Sequence, residues 1–316
     1  MPDLSVILAF CNEYPQLIFT VRSIVEELRD RVDVEVIAVD NYCPEVEKQG
    51  YKKDKGGGAL KAAMEGNPWL TVLEYDTRLS HWQAKNLGVK HATAPFLWFP
   101  DAHVMPSRDS LVEMFLFYRA NCERLNGTMH LPLTYQILEW RRLIYGLIAE
   151  PKHAKYFYEF APMPSRDEVF EVPVMSTCGC LMTREIFDRL GGWPEEIGIY
   201  GGGEPFFNFC MAVMGLKKWI WPHGALFHHG DNRGYHWNHD GWCRDEVIAT
   251  YMYGGQELAE KKLQFMEMGD GSRIQLWSSI RGKESILRHR ELIAAQQQQT
   301  IEEWALQALA KGGAHG

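Results

Sequence analysis

Apolar positions follow two rhythms in the first third of the chain. The runs LSVILAF (4–10) and VEVIAVD (34–40) are short, continuous and rich in β-branched residues, as buried strands are. Between them, PQLIFTVRSIVEELRD places Leu17, Val21, Ile24, Val25 and Leu28 at helical spacing behind a proline suited to a first turn. WLTVLEY (69–75) predicts a third strand, HWQAKNLGVKHA (81–92) a helix, and FLWFP (96–100) a fourth strand. This alternation predicts an α/β fold paired in parallel through right-handed crossovers, with ligands gathered beyond the carboxyl ends of the strands. Asp40 and Asp101 stand at two such ends.

Other stretches read less sharply. KKDKGGGALKAAMEGNP (52–68) lacks the spacing of a phosphate-binding P-loop and predicts a flexible surface loop. EWRRLIYGLIAEPKHAKYFYEFAP (139–162) mixes basic residues with aromatics. It predicts a folded helical insertion with a charged face in preference to a nucleic-acid surface. The tail SRIQLWSSIRGKESILRHREL (272–292) is locally basic through Arg273, Arg281, Lys283, Arg288 and Arg290, as an acceptor-binding arm or a helix pairing two copies in a homodimer would be. QQQQ (296–299) is read as part of a C-terminal helix.

Composition narrows the function classes. The 316 residues are 46% hydrophobic and 23% charged, and 33 basic against 41 acidic residues give a formal charge of -8. That balance does not favour general attraction to a polyanion, though it leaves a local basic patch open. No apolar run approaches the ~18 residues of a membrane span, and the start MPDLSVILAFCNE has no basic region ahead of its apolar one. Seven scattered cysteines show neither a disulfide framework nor paired zinc spacing, and the C-G-C at 178–180 suits a strand of small residues. Together these features predict a soluble, cytoplasmic protein with reduced thiols.

The chemistry concentrates in FLWFPDAHVMP (96–106), where an apolar strand runs into Asp101 and His103. Side chains two apart in extended backbone point to one side and can grip one cation. A carboxylate with an imidazole suits Mn²⁺ or a related ion better than Ca²⁺. On spacing alone, a solvated turn at the strand end is the simpler reading.

Read in order, SVILAFCNEYPQLIFTVRSI, VEVIAVDN, LSHWQAKNLGVKHATAPFLWFPDAHV and CGCLMTREIFDRLGGWPEEIGIYGGGEPFFNFCMAVMGLKKWIWP resemble the signature blocks of family 2-type glycosyltransferases. These have the GT-A fold, a Rossmann-like mixed sheet with helices on both faces. The resemblance covers roughly residues 3–230. The family's D-x-D motif is here Asp101-Ala102-His103, and this D-x-H variant with a downstream GGE resembles the polypeptide N-acetylgalactosaminyltransferases, which use a nucleotide sugar and Mn²⁺.

The resemblance implies roles by position. Asp40 would accept the uracil N–H of a UDP-sugar; Phe10, Asn12 and Glu13 would line the nucleoside pocket, and Lys85 would meet the diphosphate. Asp101 and His103 would hold Mn²⁺ (or Mg²⁺) with His228 as third ligand, His229 being the alternative. Asp231 stands where the family has a basic residue, so Arg233 would substitute. A zinc site made of His223, His228, His229, His236 and His239 is the structural rival.

On the acceptor side, Gly202 and Gly203 would let backbone approach a ligand, and Glu204 would orient or deprotonate the attacking hydroxyl. Pro205, read as the first residue of a helix PFFNFCMAVMG, breaks the E-D pair of inverting relatives and so points to retention. Trp193 and Tyr200 would stack on acceptor or sugar rings, or serve as core. The acceptor class stays open among glycan, small molecule, protein and a hydroxymethylated base of DNA. The reading divides the chain into a catalytic domain (1–250, with an insertion at 126–172) and a helical extension (251–316). With neither anchor nor lectin domain in the sequence, a secretory mucin-type role is not expected. Two readings of other classes stand beside it: a nucleotidyltransferase, for which AFCNEYP lacks a GxGxR-type loop, and a non-catalytic nucleotide-sugar- or partner-binding protein.

Overall fold

The computed structural model describes residues 1–135, 141–230 and 234–313. Strands Leu4–Phe10, Val34–Asp40 and Leu70–Glu74 form one after another in chain order, and Phe96–Phe99 then joins the opposite edge of Leu4–Phe10, all four parallel. Leu4–Phe10 is buried along its whole length, which is why its sequence shows no polar alternation. Helix Gln16–Leu28 turns Leu17, Val21, Ile24 and Leu28 into the core, the stripe read from the sequence. Helix His81–His91 starts at Ser80, whose hydroxyl accepts from the Gln83 amide at 3.3 Å.

Beyond Phe96–Phe99 the sheet becomes mixed. Cys180–Thr183 pairs antiparallel to it, followed by Gly127–His130, Lys217–Ile220 and Phe170–Val172, completing eight strands. A second sheet of five strands runs Val104–Pro106, Leu226–His228, Leu133–Thr134, Leu143–Glu150 and Lys155–Pro162. It grows out of the chain just after Asp101 and carries the residues around 228 back against that point.

Three expectations are corrected. The stretch 139–162, read as helical, forms a hairpin of Leu143–Glu150 with Lys155–Pro162, Glu139 and Trp140 lying outside the described residues. Its β-branched and aromatic content, split by Pro151–His153, outweighs the helical reading. The triple glycine is no loop: it opens helix Gly56–Met64. There a Cβ on Gly57 would sit 2.6 Å from Asp40 Oδ2, so glycine lets the helix start reach that carboxylate. The four glutamines lie between helices Glu284–Ala294 and Ile301–Gly313. Gln296 Nε2 donates to the Arg189 carbonyl at 2.8 Å and Gln299 Nε2 to that of Ala212 at 2.9 Å, so they satisfy the carbonyls ending helices Arg184–Leu190 and Gly203–Val213.

Helix His239–Gln264 runs through residue 250, and Asp270–Ile280, Glu284–Ala294 and Ile301–Gly313 follow it. The basic tail is largely engaged within the chain. Lys283 pairs with Glu196 at 2.6 Å, Arg290 donates to the Met252 carbonyl at 2.7 Å, Arg273 pairs with Asp270 at 3.0 Å and Arg288 with Glu284 at 3.3 Å.

Candidate metal centre and adjoining cleft

Strands Leu4–Phe10 and Phe96–Phe99 are neighbours whose crossovers leave in opposite directions, so a crevice opens beyond their carboxyl ends. A cavity of about 410 Å³ occupies it. Asp101 and His103 leave the end of Phe96–Phe99 in a turn, and Leu226–His228 brings His228 into register opposite Val104. One ligand atom from each of Asp101, His103 and His228 lies within 4.8 Å of the others. It is the one such group among the described residues, so the histidines of 223–239 do not assemble a zinc site there. His229 donates its amide to the His103 carbonyl at 2.9 Å, and its side chain is exposed on the other side of the strand.

Neighbouring charges orient these groups. His103 Nδ1 meets Glu13 Oε1 at 2.6 Å, a contact that fixes the ring. Asp101 contacts Lys85 Nζ through one oxygen and His228 Nε2 through the other, each at 3.3 Å. Burial alone would raise the Asp101 carboxyl, but the Lys85 ammonium and then His228 and His103 outweigh it and hold the group well below the ordinary carboxylate range. Lys85, on an apparent surface helix, is 1% exposed. One carboxylate and two imidazoles make a donor set suited to Mn²⁺, and His228 Nδ1 is buried without a hydrogen-bond partner among the described residues. The residues therefore fit a divalent ion. Cys178 also lines the cleft, but burial and then the Asp101 charge push its thiol well above the ordinary value, so it is no thiolate nucleophile.

The opposite wall centres on Glu204, the second residue of helix Gly203–Val213, with Pro205 third rather than first. Its Oε1 accepts from Ser176 Oγ at 2.9 Å, from the Thr177 amide at 3.1 Å and from Thr177 Oγ1 at 3.4 Å, while Oε2 accepts from the Tyr158 hydroxyl. Asn208 clamps the segment beneath: it accepts from the Met175 amide and donates to the Met175 carbonyl, both at 2.9 Å. Tyr158 belongs to the hairpin and stacks on Tyr145 at 4.5 Å. Burial, and then the Glu204 charge, push both phenols well above their ordinary value. A cation site at the strand ends and a hydrogen-bonded carboxylate at a helix start thus face one cavity.

Of the residues singled out in the sequence, Phe10, Glu13, Lys85, Asp101, His103, Tyr200, Gly203, Glu204 and His228 line this cavity. Asp40, 3% exposed, lies behind the wall, where Oδ2 pairs with Lys53 Nζ at 2.9 Å and Oδ1 accepts from the Tyr42 amide at 3.0 Å. Asn12 accepts from the Asp54 amide at 2.8 Å, and Gly202 packs on the Asp245 backbone. Trp193 is corrected from ring-stacking surface to core: it is 3% exposed and packs at 5.2 Å on Trp82, which itself lines the cleft. Arg233 lies outside the described residues. Sequence reasoning missed Tyr158, Ser176 and Thr177. Only the polar ST pair ahead of the C-G-C marked the last two, and nothing in the spacing marked Tyr158.

The profile of glycosyl transferase family 2 matches residues 5–191. The chain is 24% identical over 246 residues to N-acetylgalactosaminyltransferase 6 of Drosophila melanogaster, an alignment covering 72% of this chain and 34% of that protein. It therefore spans about a third of that relative's length. The fold is similar to a crystal structure of GalNAc-T7 with UDP, GalNAc and Mn²⁺: TM-score 0.70, 14% identity, 100% of this chain and 58% of that one. It is also similar to the mannosyltransferase PcManGT of Pyrobaculum calidifontis in complex with GDP-Man and Mn²⁺: TM-score 0.52, 18% identity, 99% of this chain and 80% of that one. Both share the GT-A fold.

Proposed function

The chain belongs to glycosyl transferase family 2, and from that premise we propose that it transfers a sugar from a UDP-sugar to a hydroxyl acceptor, with retention at the anomeric carbon. The observation that carries this reading is the convergence of Asp101, His103 and His228 within 4.8 Å on the wall facing Glu204. A divalent ion, Mn²⁺ or Mg²⁺, held by those three residues would neutralise the charge on the diphosphate as it leaves. Lys85 adds a fixed positive charge behind Asp101, and Glu13 holds His103 in the ligating tautomer. The acceptor oxygen forms a bond to the anomeric carbon as the bond to the diphosphate breaks; UDP leaves, and the hydroxyl proton goes to solvent or leaving phosphate.

Glu204 suits positioning. Its oxygens are occupied by Tyr158, Ser176 and Thr177, so it holds a fixed orientation in which a remaining lone pair can take a hydroxyl of acceptor or sugar. Pro205 supplies no second carboxylate beside it, which supports retention over an inverting base. No helix of the described residues is long and apolar enough to cross a membrane. The proposed setting is the cytoplasm, which seven free cysteines support. A hydroxymethylated DNA base gains no support from the tail, whose basic residues are largely paired internally.

Calorimetry of UDP with and without Mn²⁺, on the native chain and on Asp101→Ala, tests the reading. Binding that needs both metal and Asp101, followed by turnover of a UDP-sugar, is the expected result. Binding without turnover for any UDP-sugar would leave a non-catalytic binding protein, and no binding would remove the assignment.

A further inference from the structure

A second cavity, of about 530 Å³, lies between the tip of the hairpin and helix His239–Gln264. Phe157 and Trp242 border both this cavity and the cleft, so the two spaces adjoin at those rings. Phe157 directly precedes Tyr158, whose hydroxyl reaches Glu204. The Trp242 carbonyl would lie 2.5 Å from a Cβ on Gly201, so the loop leading to Glu204 rests on the same residue. A molecule with one hydroxyl at Glu204 and a longer body would have to cross Phe157 to reach the second space.

The wall defines what such a body would be. Tyr156, Phe157, Phe265 and Met266 make it largely apolar, and Phe265 is 53% exposed at its edge. Glu150, Glu246 and Glu267 face Lys155 and Lys262, a balance that gives a polyanion no advantage. Glu246 is 1% exposed and pairs through Oε2 with Lys262, while Oε1 has no hydrogen-bond partner among the described residues. A buried carboxylate oxygen without a donor is costly, and a hydroxyl or amine presented by a ligand would relieve that cost. Burial, only partly offset by Lys262, pushes the Glu246 carboxyl above its ordinary value, in keeping with an incomplete set of donors.

We propose that this cavity is the distal acceptor subsite, and that the acceptor is an uncharged amphiphile: a hydroxyl at Glu204, an apolar body across Phe157 and Trp242, and a hydrogen-bond donor at the far end for Glu246. The inference rests on the glycosyl-transfer reading of the cleft.

The test is calorimetric binding of methyl, octyl and 8-hydroxyoctyl β-D-glucoside, below micellar concentration, to the native chain and to Met266→Glu, with UDP and Mn²⁺ titrated separately. Octyl glucoside should bind at least about thirtyfold tighter than methyl glucoside, a modest part of what burying the whole chain would give. Met266→Glu should cut that ratio to below about threefold. Phe265→Asp, at an exposed position, serves as second variant if the first does not fold. The 8-hydroxyoctyl compound should bind at least as tightly as octyl; weaker binding overturns the contact with Glu246. UDP binding together with equal affinities for methyl and octyl glucoside overturns the subsite and leaves the transferase reading intact. A chain-length effect without UDP binding upholds the cavity as an apolar ligand site and overturns the transfer reading on which its acceptor role rests.

Discussion

Two lysines are almost wholly buried, one behind each wall of the cleft, and they are partnered in opposite ways. Lys85, 1% exposed, meets the Asp101 carboxylate at 3.3 Å and lies over the Trp82 ring at 5.2 Å. Lys218, 2% exposed, donates to the Asn208 backbone carbonyl at 3.1 Å and has no carboxylate within salt-bridge reach among the described residues. Burial pushes Lys218 down to about 7, with Glu171 too distant to reverse it. The charge on Lys85 has a counter-charge and a purpose, because it keeps Asp101 ionised for a cation. That on Lys218 is held by a neutral group and costs stability, while its hydrogen bond steadies Asn208, which clamps the loop carrying Ser176 and Thr177 beside Glu204. The metal wall works by charge and the opposite wall by hydrogen bonds.

That contrast breaks most visibly at Asp101. Asp101→Ala should abolish metal-dependent UDP binding and transfer, read by calorimetry and UDP release, because it removes a ligand and leaves Lys85 buried without its counter-charge. If full activity survived with the metal chelated, the charge-based account of this wall would be wrong. Glu204→Gln keeps the size but reverses one of the hydrogen bonds it now accepts. We expect kcat to fall roughly 10²-fold, as for a misplaced reactant, with UDP affinity unchanged, since none of the Glu204 contacts reaches the metal wall. Loss of UDP affinity in this variant would mean that the walls are not separable.

Lys218 sharpens the comparison through pH. The unfolded chain holds its proton up to the ordinary 10.5, whereas the folded chain releases it near 7. Below pH 7 both states are protonated and the burial cost is complete. Between about 7 and 10.5 the unfolded state binds more protons, so stability rises with pH. Lys218→Met should therefore stabilise the fold by about 2 kcal/mol at neutral pH, where the cost is removed. In denaturant titrations the native-minus-variant difference should shrink as pH rises towards 10, and taking that difference cancels other groups titrating in the range. A difference that does not change with pH would show that Lys218 stays charged in the fold.

What the sequence revealed follows the same divide. The strands 4–10 and 34–40 lie where their apolar runs predicted, because a strand buried on both faces is marked by a largely apolar run whatever surrounds it. Asp101 and His103 were legible because a strand end and a two-residue spacing are local properties. His228 was reached only by matching blocks, since what aims it is an antiparallel register with a strand some 120 residues earlier. The hairpin, the helix at the triple glycine and the capping glutamines were misread, because each depends on a distant partner: a sheet edge, Asp40, or another helix's last carbonyls. Lys85 was marked only by the resemblance, and its pairing with Asp101 was not legible for the same reason. No periodicity records that a carboxylate sixteen residues on will cover it.

Tyr158 offers the smallest and most discriminating perturbation. Its hydroxyl is the donor to Glu204 Oε2, while Ser176 and Thr177 hold Oε1 independently. Tyr158→Phe removes one donor and no ring, so the stack on Tyr145 at 4.5 Å should survive and the melting temperature should barely move. Losing one hydrogen bond to a charged group corresponds to roughly 1.5–3 kcal/mol in isolation. With two anchors left, we expect about a tenfold fall in kcat and no change in UDP affinity. Because burial and the Glu204 charge keep the Tyr158 phenol protonated far above neutral pH, the variant should scale the pH–rate profile without reshaping it. A new limb in that profile would make Tyr158 a proton carrier rather than a positioning residue. An unchanged kcat would mean that Glu204 is held well enough from the Ser176 side alone, and that the hairpin's role at this wall is to shape the cavity.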